Sequence, residues 1–74
     1  MKTIYDIQQR LKRFGILIYT GNRAADLELM ELELRELQKL DLIEDSEFGL
    51  AIAVLRKEMK KESEKNERLK DYFL

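Results

Sequence analysis

The sequence predicts an all-α fold, a small three-helix bundle, with the C-terminal tail either an extension of the third helix or a solvated segment. Three observations predict it. The chain has no proline and only three glycines, at 15, 21 and 49. Its apolar residues recur at three- and four-residue spacing, which places them on one face of a helix. Leu, Glu, Lys and Met, all good helix formers, dominate the long segments.

Thr3 is placed to cap the first helix, with its hydroxyl accepting a free backbone N–H and Asp6 three residues on. Ile4, Ile7, Leu11 and Phe14 then mark a single buried face. Gly15 ends the helix, because the residue after a helix often needs a left-handed backbone. Ile16-Leu17-Ile18-Tyr19 is too short for a helix, and a lone strand would have no partner. It reads as an irregular link that tucks its apolar side chains under the bundle. Thr20-Gly21-Asn22 is a turn, with Asn22 as the next cap.

The second helix is predicted from about Arg23 to Leu40. Leu27, Met30, Leu34 and Leu37 form one stripe, while Leu29, Leu32 and Leu40 form another. At about 100° per residue the two cover more than half the circumference, so this helix should meet two neighbours or a second subunit. A third helix begins near Glu44, where acids favour the positive end of the helix dipole and Ile43 can staple onto Phe48. Phe48, Ala51, Ile52, Leu55 and Met59 are its core stripe. Gly49 falls inside it, which costs about 1 kcal/mol relative to Ala; close approach of another helix would be one reason to keep it.

The spacing Phe48, Ile52, Leu55, Met59, Glu62, Asn66, Leu69, Phe73 holds a heptad-like rhythm into the charged tail. Residues 1–61 read as the bundle domain. Residues 62–74 read either as a helical extension or as a solvated tail. The apolar end Tyr72-Phe73-Leu74 suits docking better than solvent.

The chain has no cysteine and no histidine. That removes disulfides, thiolate zinc sites and most nucleophilic triads. No glycine-rich phosphate loop is present. Asp26 and Glu33, seven residues apart, are the nearest approach to paired carboxylates, and on so acidic a helix they read as surface. No catalytic site, cofactor or metal is expected. No apolar run reaches the ~18 residues of a membrane span, and no secretory signal pattern is visible, so a cytoplasmic location is expected.

Net charge is −1, but the signs segregate. Lys2, Arg10, Lys12, Arg13 and Arg23 face only Asp6 in the first 23 residues, whereas residues 24–47 carry nine acids against Arg35 and Lys39. Seven bases and five acids follow from residue 48 onward.

Ile18-Tyr19-Thr20-Gly21, then Arg23, Asp26, Glu28-Leu29-Met30 and Glu33-Leu34, is more distinctive than its composition. Together with Tyr5-Asp6-Ile7-Gln8 it resembles the YqgQ-like family over residues 1–61. That family groups short uncharacterised cytoplasmic proteins of Gram-positive bacteria under a domain of unknown function. The resemblance implies a three-helix bundle and suggests single-stranded nucleic-acid binding. It carries no catalytic residues.

Two binding readings follow. In the first, the protein associates with a protein partner or as a homodimer through helices two and three, using Leu29, Leu32, Met59, Leu69 and Phe73. In the alternative, single-stranded nucleic acid lies on Tyr5, Gln9, Lys12 and Arg13 of helix one with Arg23, Arg56, Lys57 and Lys60. There, cations follow phosphates and rings stack on bases. Tyr19 could serve either surface or core. The acidic middle of the chain opposes a polyanion.

Overall fold

In the computed structural model the backbone is described for residues 1–73 and the side chains for residues 1–65. Three helices appear in order: α1 (Ile4–Lys12), α2 (Arg23–Lys39) and α3 (Asp45–Phe73). No strand occurs among the described residues.

The starts of α1 and α2 are held by the expected local chemistry. Thr3 and Asp6 form a reciprocal capping box, with the Asp6 N–H donating to Thr3 Oγ1 at 3.1 Å and the Thr3 N–H donating back to Asp6 Oδ2 at 3.1 Å. The Lys2 N–H donates a second bond to the same Asp6 oxygen. These donors hold the Asp6 carboxyl below its ordinary range, the Lys2 N–H first among them. Asn22 caps α2 by accepting from the Ala25 N–H at 3.0 Å.

The ends of α1 and α2 close alike. After α1, the Gly15 N–H bonds to Lys12 O and the Ile16 N–H to Leu11 O. After α2, the Asp41 N–H bonds to Gln38 O and the Leu42 N–H to Leu37 O. Both are the paired bonds of a Schellman closure, whose first outside residue takes a left-handed backbone. Gly15 sits there at φ +77°, and Asp41 sits there at φ +57°. Helical bonding therefore fades at Lys12 instead of reaching Phe14, although the closure still pivots on Gly15.

The core is one cluster. Ile4, Ile7 and Leu11 of α1 meet Leu27, Met30, Leu34 and Leu37 of α2, Ile43 of the second connection, and Ala51 and Leu55 of α3. Phe14, Phe48, Ile52 and Met59 pack around it. The link between α1 and α2 alternates. Ile16 and Ile18 turn inward against the core, while Leu17 and Tyr19 stand outside, 78% and 89% exposed. The expectation that the whole link tucks under the bundle thus holds for half of it, and Tyr19 is a surface residue.

Gly49 needs a different explanation from close packing. A methyl group added at its position would meet nothing within 4 Å. The continuous-helix reading of the tail is the one observed, since α3 crosses from residue 61 to 62 without a break and ends at Phe73. At about 1.5 Å per residue it is roughly 43 Å long, which accounts for the 46 Å long axis of the molecule against 22 and 19 Å across.

Candidate functional site

The surface holds three groups of functional candidates. On α1, Tyr5, Gln9 and Lys12 lie at i, i+4 and i+7, with Arg13 beside them. All four are exposed, Tyr5 to 65%. Neither Lys12 nor Arg13 forms an ion pair among the described residues. Arg10 does not share their freedom. Its Nε donates to Glu47 Oε2 at 2.6 Å and its Nη2 to Glu47 Oε1 at 3.3 Å, a forked contact that ties α1 to the first turn of α3. The guanidinium also lies 5.2 Å from the centre of the Phe14 ring. Hydrogen bonding to Arg10 holds the Glu47 carboxyl below its ordinary value, and the same bond raises Arg10.

Arg23 stands apart from the α1 group. Its guanidinium approaches Glu58 on α3 at 3.8 Å, and Glu58 also receives Lys61 at 3.5 Å. The structure therefore places Arg23 beside Glu58 and Lys61 of α3, while Arg56, Lys57 and Lys60 are exposed. The cations proposed for one nucleic-acid surface form two groups, one on α1 and one on α3.

On α2 the two leucine stripes have opposite fates. Leu27, Met30 and Leu34 are at most 1% exposed, whereas Leu29, Leu32 and Leu40 are 39%, 63% and 59% exposed. Exposed Glu28 and Glu36 flank the outer leucines. Met59 is half-buried against the core of its own chain. Leu69 and Phe73 lie on α3, outside the residues whose side chains are described, and Leu74 lies outside the described residues altogether.

Two features escaped the sequence reading. One is the Arg10–Glu47 fork, which joins residues 37 positions apart. The other concerns Asp26. Its carboxylate is buried and accepts from the Thr20 N–H at 2.8 Å and from the Thr20 hydroxyl at 2.6 Å. Asp26 is therefore no solvated member of a pair with Glu33; it pins the end of the link onto α2. A threonine two residues before a helix cap, with an acid four residues beyond that cap, was the available signal. Among the described residues no buried side-chain polar atom lacks a partner, and no three acids group as metal ligands. No helix among them is long and apolar enough to cross a membrane.

Fold and surfaces together define a small three-helix protein whose chemistry is displayed on helix faces. The chain belongs to the YqgQ-like family, whose pattern matches residues 1–61. It is similar to a Bacillus subtilis (strain 168) protein named "Uncharacterized protein YqgQ", with 47% identity over 68 residues that span 92% of this chain and 93% of that one.

Proposed function

We propose that this protein is a non-catalytic cytoplasmic binding module that self-associates through α2 and α3. The carrying observation is the length of α3. Arg23, the first residue of α2, lies level with Glu58, so α3 beyond that point runs past α2. Its seam spacing nevertheless continues through Glu62 and Asn66 to Leu69 and Phe73. A heptad seam that outruns its own bundle suits a second copy of the same helix. Leu29 and Leu32 add apolar area on α2. The charges match as well, since Glu28 and Glu36 flank those leucines while Arg56, Lys57 and Lys60 line the outer side of α3. A two-fold arrangement sets α2 of one copy against α3 of the other.

Sedimentation equilibrium tests this. The full chain is expected to be a dimer, and removal of residues 62–74 is expected to give a monomer. A full-length protein that stays monomeric at high micromolar concentration overturns the reading.

A second reading is single-stranded nucleic-acid binding, favoured by the exposed Tyr5 and Gln9 of α1 with the exposed Lys12 and Arg13 farther along. Anisotropy titration of a labelled oligonucleotide should give a log–log salt slope of about −0.7 per phosphate neutralised. Replacing Lys12 and Arg13 together by Glu should abolish binding with the helical signal unchanged. Undetectable binding at low salt removes this reading.

A further inference from the structure

The link between α1 and α2 is built with more care than a connection requires. Its two ends are fixed. At one end the Ile16 N–H bonds to Leu11 O at 3.1 Å. At the other, both donors of Thr20 are held by the buried Asp26 carboxylate. Between these anchors the side chains alternate, Ile16 and Ile18 inward and Leu17 and Tyr19 outward. Among the described residues, the N–H groups of Leu17, Ile18 and Tyr19 bond to no acceptor in the chain. A two-residue side-chain period with a row of unpaired backbone groups is what a sheet edge presents to an incoming strand.

Alongside the link runs a groove of about 390 Å³. Leu11, Ile18 and Met30 give it apolar walls, and Gln8 and Lys12 of α1 supply polar groups. Among the described residues its lining holds one cation and no acid.

We infer that this groove binds an extended peptide of a protein partner, which adds as a strand along residues 17–19. Backbone groups of the peptide pair with those of the link, and alternate apolar side chains enter the groove. An acidic side chain of the peptide meets Lys12. The free backbone row decides between a peptide and a nucleic-acid strand, because it complements amides and carbonyls. A polynucleotide would call for several cations, and the groove holds one. Asp26 and Thr20 act as positioning residues that hold the link in its binding form before the peptide arrives. The inference is independent of self-association, which uses the opposite, outer stripe of α2.

A displayed library of random twelve-residue peptides, panned against the intact protein, tests the inference. The expected result is enrichment of peptides that alternate apolar residues and carry at least one acid. Titration of an enriched peptide should weaken at least tenfold with Leu17→Asp and severalfold with Lys12→Glu, while Leu32→Asp leaves it unchanged. All three positions are exposed, so these variants should keep the parent helical signal. Thr20→Val, which removes only the hydroxyl arm of the anchor, should also weaken binding severalfold. In amide-resolved NMR, the signals of Leu17, Ile18 and Tyr19 should shift, and hydrogen exchange should slow at alternate positions, either Leu17 and Tyr19 or Ile18, a signature that docking by side chains alone would not give. The inference is overturned by a library that enriches nothing above an unrelated bait. Enriched peptides that leave those amides unmoved overturn it too, as does an oligothymidine that moves them where no peptide does.

Discussion

Leu32 and Leu34 stand two residues apart on α2 with the same side chain and the same local helix, yet one is 63% exposed and the other fully buried. Neither helix propensity nor hydrophobicity separates them. What differs is the direction each takes from the helix axis. Leu34 points between α1 and α3, whereas Leu32 points away from both. One stripe of leucines thus contributes to folding and the other stays exposed, with acids set among the outer leucines.

The largest effect that would break this contrast is at Leu34. Leu34→Ala should cost about 2–5 kcal/mol, close to the whole net stability of roughly 3–5 kcal/mol that a domain of this size holds. Leu32→Ala should change monomer stability by less than about 0.5 kcal/mol. Thermal melts of the two variants side by side check both. Similar melting points would show that the stripes are not divided as described.

The next effect concerns how α1 joins the other two helices. The Arg10–Glu47 fork is about three-quarters buried on each side chain, so solvent screens it only in part. Glu47 is held below its ordinary value of 4.5 in the folded protein. A depressed carboxylate stabilises the fold above its unfolded pKa, and that contribution disappears as pH falls through the folded value. Denaturant midpoints should therefore drop as the solution is acidified below about pH 4.5. Glu47→Gln should be less stable at neutral pH, by about 1 kcal/mol, and should lose less on acidification. An equal acid loss in parent and variant would mean that the fork contributes nothing measurable.

The smallest effect compares the two helix closures. Gly15 and Asp41 occupy the same left-handed position, and only glycine occupies it without steric cost. Asp41→Gly should raise stability by up to about 1 kcal/mol, because relief of the left-handed strain outweighs the added chain entropy. Gly15→Ala should lower it by a similar amount. If Asp41→Gly destabilises, the Asp41 side chain contributes something its backbone angle does not reveal.

Where sequence reasoning succeeded, the interactions are local. The capping box at Thr3 and Asp6, the cap at Asn22 and the left-handed Gly15 each involve residues within five positions, so the residue types announce them. The inner stripe of α2 was legible because its spacing matches the helical repeat. Gly49 misled because a glycine inside a helix reads as a sign of close packing, and the surface at that point is open. The exposed α1 candidates were legible from their position opposite the apolar stripe. The grouping of Arg23 with α3 was not, because it depends on where another helix passes.

By itself, then, the sequence determined the number of helices, their approximate limits and the chemistry of their ends, since backbone bonds and caps form between near neighbours. Only the tertiary structure decided which leucines of α2 are free, that Asp26 anchors Thr20 beneath the link, and that Arg10 turns from the basic face of α1 to Glu47. Those outcomes depend on how three helices are set against one another. That arrangement follows from burial of the whole core at once, and no single segment carries it.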